Sequence, residues 1–321
     1  MFAAVLRVVR IQNLFIVAGT MYLMRFFVMH PLLMQRGMEL QMPEWLFLCL
    51  TLATVMITAA GYVINDYFDT RTDIINRPDT VVVGRTIPRR TAIFLHWALN
   101  IVGFIFAFIV FFGIGLPLLS VVFLGIPGIL WFYSTTYKRQ FLIGNLIVSI
   151  LTAMVPLMVL IFEMPMLYSA YWQKLAVTPW LFNNVFYWVG GYAIFAFMLS
   201  MVREIVKDIE DFEGDSEFGR NTLPVVLGPK NARLVAVSLV FVTIVLLAYL
   251  FGAYLNFLPN GKFNFFTFGY LLVGLIVPLF ILVVRLLTAQ VKEHYHVAST
   301  LTKLVMLFGL LYAIVLRFLI L

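Results

Sequence analysis

Uncharged runs dominate the hydrophobic pattern of this chain. Residues 45–64, 140–162, 175–202, 234–261 and 263–284 contain no Lys, Arg, Asp or Glu. Each reaches or exceeds the roughly 20 residues that carry a helix across the hydrocarbon core of a bilayer. Residues 91–137 form an uncharged run of 47 residues, long enough for two spans around the break Gly113-Ile114-Gly115-Leu116-Pro117. Barrel strands would be short segments alternating with polar lumen positions, whereas these runs are continuous. Their backbone groups are therefore expected to be satisfied as helices. The pattern predicts nine spans, at about 11–33, 45–65, 91–112, 116–134, 141–162, 181–203, 232–254, 264–285 and 303–320. Arg7 and Arg10 ahead of the first apolar stretch resemble the start of a signal sequence. No small-residue cleavage site follows, so a retained first span is expected. The expected fold class is all-α: a polytopic membrane protein with a bundle of nine transmembrane helices. It forms one integral-membrane domain over 1–321, with pseudo-repeated halves of about 1–140 and 141–321.

Composition points the same way. Of the 321 residues, 63% are hydrophobic and 12% charged, with a mean hydropathy of +1.01. Soluble domains carry about 25% charged residues, so an ordinary soluble enzyme is excluded. The net charge of +7 could indicate nucleic acid, but its distribution says otherwise. With the N-terminus cytoplasmic, the N-terminal tail and the even-numbered loops hold 17 of the 22 Lys and Arg. That asymmetry predicts topology in the cell's inner (cytoplasmic) membrane and no nucleic-acid partner. The single cysteine, Cys49, rules out an internal disulfide and a thiolate metal cluster, and four scattered histidines argue against haem or zinc.

The acids carry the chemistry. Eleven of the 15 Asp and Glu fall in two clusters, each at the cytoplasmic end of an even-numbered span, with Glu217 trailing the second. The first reads Asn65-Asp66-Tyr67-Phe68-Asp69-Thr70-Arg71-Thr72-Asp73 and continues through Asn76-Arg77-Pro78-Asp79. The second runs from Arg203-Glu204 through Lys207-Asp208-Ile209-Glu210-Asp211 to Asp215. Asp66, Asp69 and Asp73 recur at the same spacing as Asp208, Asp211 and Asp215, 142 residues later. On a helix, Asn65, Asp69 and Asp73 share a sector of about 80°, and Glu204, Asp208, Asp211 and Asp215 one of about 60°. Glu210, Glu213 and Glu217 are expected on the opposite, watered side. Like charges so stacked repel one another and invite a cation. Oxygen ligands without Cys or His suit Mg2+, which binds few carboxylates and completes its shell with water and substrate phosphates. A diphosphate held between metal ions is the expected ligand. Arg77, Lys207 and Lys138 are candidates for its cationic cage, and Gly144-Asn145 puts an amide just inside the membrane.

These strings resemble the signatures of the UbiA superfamily of intramembrane prenyltransferases. Asn65-Asp66-x-x-Asp69-x-x-x-Asp73-x-x-Asn76-Arg77-Pro78 is similar to the first and Arg203-Glu204-x-x-Lys207-Asp208-x-x-Asp211-x-x-Gly214-Asp215 to the second. Tyr133-Ser134 with Lys138, Gly144-Asn145 and Arg10-x-x-Asn13 resemble shorter conserved stretches. The resemblance implies transfer of a prenyl group from a polyprenyl diphosphate to a lipophilic acceptor, with Mg2+, in a bundle open sideways to lipid. It implies metal ligation by Asn65, Asp66, Asp69, Asp73, Asp208, Asp211 and Asp215. Diphosphate contacts would come from Arg77, Lys138, Lys207, Tyr133, Asn145, Arg10 and Asn13. Asp69, Asp208 and Lys138 are the residues expected to carry catalysis.

The form of the two signatures looks most like the branch that uses geranylgeranyl diphosphate as donor and geranylgeranylglyceryl phosphate as acceptor, making an ether lipid. Aromatic prenylation in menaquinone or another quinone pathway is the alternative. A cation-coupled transporter is the alternative of another class, since twinned acids in repeated halves also occur there. Transporters place such groups near the bilayer midplane, whereas these lie at one boundary.

Overall fold

The computed structural model describes residues 2–76, 81–258 and 261–320. A short helix α1 (Phe2–Val8) breaks at Arg10, whose φ of 52° lies in the left-handed region, and the chain resumes as α2 (Ile11–Leu23). A π-helical segment, Met24–Met29, and α3 (His30–Met34) complete the first span. Helix α4 (Glu44–Asn76) is 33 residues long, so the first acidic cluster, as far as Asp73, is a continuation of the span and not a loop. Helices α5 (Arg89–Gly113) and α6 (Ser120–Thr135) flank a turn through Gly115, at φ 72°, and a short 3-10 segment, Pro117–Leu119. Next come α7 (Ile143–Ala170), α8 (Trp172–Val177) and α9 (Asn183–Glu210). Two short helices, α10 (Phe212–Glu217) and α11 (Leu223–Leu227), lead into α12 (Pro229–Leu250). Helices α13 (Phe265–Leu271) and α14 (Val277–Thr288), joined by a π-helical segment, make one span, and α15 (Lys292–Ile320) closes the chain.

Among the described residues, nine helices or helical runs are long and apolar enough to cross a membrane, in the order the uncharged runs predict. Four ends extend beyond expectation: α4 runs to Asn76 rather than 65 and α9 to Glu210 rather than 203, each carrying its span into an acidic cluster, and two more lie at α7 and α15. Helix α7 runs to Ala170 past Pro156 and Pro165, and α15 begins at Lys292 where a start near 303 is expected. Hydropathy marks only the apolar part of a helix. Backbone hydrogen bonding continues into polar turns at α15, while in lipid neighbouring groups tolerate a proline inside α7.

Packing centres on α9, which lies against α7, α12 and α15, while α4 packs on α5, α6 and α10. Small residues allow the close approaches. A Cβ on Gly103 of α5 would meet Ile57 Cγ1 of α4 at 2.8 Å, as expected where helices associate by contact in lipid rather than by the hydrophobic effect. At the end of the bundle away from the acidic clusters, Arg25 of the π segment donates to Glu163 of α7 at 2.7 Å, both side chains nearly inaccessible. Glu163 also accepts from the backbone N–H of Gln41 and Met42 at 2.6 and 2.9 Å. Arg25 reaches the Met42 carbonyl in turn. The pair therefore fastens the loop before α4 to two spans.

Candidate active site

Both acidic clusters lie at the same end of the bundle and meet there. Asp69, on the last turns of α4, is 8% exposed. Its Oδ1 accepts from Lys138 Nζ at 2.7 Å and from Arg220 Nη2 at 2.7 Å. Lys138 Nζ also donates to Asn65 Oδ1 at 3.3 Å. Arg220 Nη1 reaches across to Asp215 Oδ1 at 3.2 Å. The guanidinium thus ties the end of α4 to α10, and the ammonium ties it to the turn between α6 and α7.

Local sequence explains how these groups are delivered. Lys138 lies in a 3-10 turn, Tyr137–Arg139, between α6 and α7. That turn rests on the start of α7, where a Cβ on Gly144 would sit 2.9 Å from Lys138 Cα and 3.3 Å from the Tyr137 carbonyl oxygen. Only glycine permits that approach. The neighbouring Asn145 then points its Nδ2 at Asp208 Oδ2, 2.7 Å away. Arg220 follows Gly219, whose φ of 63° turns the chain back after α10. Its own N–H donates to the Asp215 carbonyl at 2.9 Å, and the N–H of Asn221 to the Arg139 carbonyl at 2.8 Å. The two loops that carry Lys138 and Arg220 are therefore stitched together.

The remaining expected residues surround this centre. Asp66 accepts from Arg10 Nη2 at 2.9 Å, and Arg10 also lies over the Tyr62 ring. Asn13 Nδ2 donates to the Tyr62 hydroxyl at 3.4 Å. Tyr133, on α6, interacts electrostatically with Glu204, Asp69, Asp208 and Arg10. Asp73 adds to the field on Lys138 and Arg220, and Asp211 to that on Asp215. Lys207 faces Glu204, with Nζ 3.7 Å from Oε2. Arg77 lies outside the described residues.

Two expectations are corrected. The second cluster is not one continuous helical stripe, because α9 ends at Glu210 and Asp211 forms its C-cap at φ −96°, ψ 9°; Asp215 arrives through α10. Glu210 is buried, not watered: α15 packs on this side of α9, and His296 lies with Nδ1 3.2 Å from Oε1. Arg220 and its partner Thr72 (Nη2 to Oγ1, 2.7 Å) went unrecognised in the sequence. A lone arginine in a boundary loop has the same look as a topology anchor, and the Gly219-Arg220 pair was the available signal.

Charge is balanced locally. Burial pushes the Lys138 ammonium below its usual range, and Asp69 offsets part of that shift. Burial acts likewise on Arg220, but Asp69 and Asp215 outweigh it and hold the guanidinium above its usual value. The Asp215 carboxyl is pushed up to about 6 by burial, with Asp211 and Asp69 reinforcing and Arg220 opposing. Among the described residues, no three acidic, His or Cys side chains gather closely enough to hold a metal ion as they stand, because Lys138, Arg220, Asn145 and Arg10 sit between them. The donors do fit Mg2+ in kind. Asn65 and Asp69 already converge two hard oxygens on one cation, and Asp69 and Asp215 on another. Mg2+ takes most of its shell from water and phosphate.

The sequence model of the UbiA prenyltransferase family matches residues 26–298. The chain belongs to this family. Digeranylgeranylglyceryl phosphate synthase of Methanosphaera stadtmanae is 29% identical over 259 residues, which is 80% of this chain and 82% of that protein. The enzyme of the same name from Pyrococcus horikoshii is 33% identical over 204 residues, 63% of this chain and 64% of that protein, so the match spans just under two thirds of it. A solved structure described as one of digeranylgeranylglyceryl phosphate synthase in membranes superposes with a TM-score of 0.61 at 22% identity, covering 98% of both chains. A UbiA homologue from Archaeoglobus fulgidus, bound to DMAPP and Mg2+, superposes with a TM-score of 0.51 at 18% identity, covering 97% of this chain and 99% of that one. These likenesses establish a common UbiA fold. As a UbiA member with nine apolar spans among its described residues, the chain is an integral membrane prenyltransferase.

Proposed function

We propose that this UbiA prenyltransferase transfers a geranylgeranyl group from geranylgeranyl diphosphate to geranylgeranylglyceryl phosphate, at the cytoplasmic face of the inner membrane. The observation that carries the reading is the meeting of both signatures at Asp69, Lys138 and Arg220 at one boundary of the bundle. The choice of acceptor draws on the form of the two signatures and on relatives that bear the name digeranylgeranylglyceryl phosphate synthase. The cytoplasmic orientation draws on the excess of Lys and Arg at the signature end.

The chemistry follows from where charge develops. The C1–O bond of the allylic diphosphate breaks, its electron pair leaves with the diphosphate, and a delocalised cation remains on the prenyl chain. The acceptor hydroxyl oxygen forms the new bond to C1 and passes its proton to the released diphosphate. Most of the barrier is negative charge gathering on the leaving group, so preorganised cations aimed at it carry most of the catalysis. Lys138 and Arg10 would donate to the diphosphate, a reading supported by their position beside Asp69 and Asp66. Asn65, Asp69 and Asp73 would hold one Mg2+, and Asp208, Asp211 and Asp215 a second. Bound there, Mg2+ supplies Lewis-acid neutralisation of the departing diphosphate. Tyr133 and the apolar walls of α4 and α6 shield the reacting carbon from water, which would otherwise divert it to an alcohol.

The test is a product assay on the purified protein with Mg2+ and radiolabelled geranylgeranyl diphosphate. Geranylgeranylglyceryl phosphate and dihydroxynaphthoate are offered together as acceptors. Chelator-sensitive label in the ether lipid is the expected result. Label in the naphthoate product would instead assign the chain to quinone synthesis.

A further inference from the structure

Arg220 has a geometry that a topology anchor does not need. Its guanidinium is held from three sides, by Asp69 and Thr72 at Nη2 and by Asp215 at Nη1. Only about a tenth of its side chain is exposed. Three of its five N–H donors are used in these contacts, which leaves the Nε donor and one on Nη1. Asp69 Oδ1 receives two full positive charges, from Lys138 and Arg220, each at 2.7 Å. Asp215 supplies the second negative charge, so the two cations are matched by two carboxylates that Arg220 holds together.

The same contacts create a conflict. Asp69 and Asp215 belong to the two clusters proposed to hold metal, and Arg220 binds one oxygen of each. A dication arriving alone must expel a guanidinium from a largely buried place, stripping its charge-assisted hydrogen bonds. A dication arriving with a diphosphate meets no such obstacle, because the phosphate oxygens offer the guanidinium equivalent bidentate partners a short distance away.

We propose that Arg220 is a movable counter-ion for this site. In the substrate-free protein it clamps Asp69 to Asp215. When the metal–diphosphate pair enters, it releases both carboxylates and turns its fork onto the diphosphate, becoming a binding residue for the leaving group. The inference rests on the prenyl-diphosphate reading and adds a consequence to it: metal and diphosphate bind synergistically, and Arg220 is the source of the synergy. Thr72 is the positioning residue that sets the resting orientation.

The test measures binding and not turnover. Mn2+ is titrated into the full-length protein in detergent, with and without inorganic diphosphate, and free Mn2+ is followed by electron paramagnetic resonance. R220Q is expected to bind Mn2+ alone at least about fivefold more tightly than wild type, and to lose at least about tenfold of the enhancement that diphosphate confers, effects within the usual span of coupling between sites. The two changes have opposite sign, which a general loosening of the fold would not produce. T72V, which keeps the guanidinium but removes its hydroxyl partner, is expected to shift Mn2+ affinity in the same direction by a smaller factor. R220K is expected to retain part of the synergy. Unchanged Mn2+ affinity and unchanged synergy in R220Q would overturn the proposal while leaving the metal–diphosphate reading in place. Failure of the wild-type protein to bind Mn2+ even with diphosphate would overturn both. Should R220Q not fold, T72V decides alone: no gain in Mn2+ affinity there refutes the clamp.

Discussion

The most exposing test of the site is a single methyl group. In Gly144→Ala the new Cβ would lie 2.9 Å from Lys138 Cα, 3.3 Å from the Tyr137 carbonyl oxygen and 3.5 Å from the Lys138 carbonyl carbon. Carbon atoms settle at about 3.5–4.0 Å, so the two segments must separate by roughly 0.6–1 Å. Neither neighbour is the tip of a flexible side chain; both are backbone. If the Lys138 turn retreats, its Nζ is drawn from Asp69 and Asn65. If the start of α7 retreats, Asn145 is drawn from Asp208, now 2.7 Å away. Either way a contact at 2.7 Å lengthens beyond about 3.2 Å, the outer end of the hydrogen-bond range. Misplacement of this size lowers rates by up to about 100-fold, so kcat/KM is expected to fall by about 10- to 100-fold, or roughly 1.4–2.7 kcal/mol of transition-state stabilisation. The assay is initial-rate transfer of label from the prenyl diphosphate, with the thermal midpoint of each variant measured alongside. Gly128→Ala on α6, where a Cβ meets nothing within 4 Å, is the control and is expected to stay within about twofold, as surface-like changes do. Wild-type kcat/KM in Gly144→Ala, in a protein of unchanged stability, would refute the claim that this approach positions the site.

Three further outcomes are expected. Asp69→Ala or Asp208→Ala removes a proposed metal ligand near the membrane boundary, so turnover should fall below about one thousandth while insertion and folding persist; near-normal activity in either would sink the metal assignment. Lys138→Ala should weaken prenyl-diphosphate binding and slow the chemical step by about 10²-fold or more, and an effect confined to expression level would show instead that Lys138 only anchors topology. Arg25→Met leaves Glu163 as an unpaired buried charge and should destabilise the protein by about 3–5 kcal/mol, read as a lower thermal midpoint. The folded fraction should keep its kcat, because this pair lies at the opposite end of the bundle; a large loss of kcat would disprove that separation.

Much of this architecture is legible in the chain. Seven of the nine spans can be read from charge-free runs because lipid leaves the backbone no alternative to helix, and the extension of α4 through Asp73 follows from the i, i+4 spacing of Asn65, Asp69 and Asp73. Contacts between distant elements are less legible. Helical spacing places Glu210 on the watered side of α9, yet α15 packs on that side, with His296 beside it. The same spacing merges Asp211 and Asp215 into one stripe, where a break at Asp211 reorients the chain. Arg220 escapes notice because its meaning lies in Asp69, 151 positions away. Lys138 is legible as a candidate because Tyr133-Ser134 and Gly144-Asn145 flank it in a stretch that resembles one of the family's shorter signatures.

The pairing of Arg25 with Glu163 has a consequence for biogenesis. Arg25 lies within the first of the nine described spans, and its partner follows 138 positions later. At about 5–20 residues per second, synthesis leaves the guanidinium waiting roughly 7–28 s. An unpaired arginine in the middle of a span opposes insertion by about 2.5–3.5 kcal/mol. The first span therefore enters the bilayer as a reluctant helix, and its final seating is a post-insertion event that awaits α7.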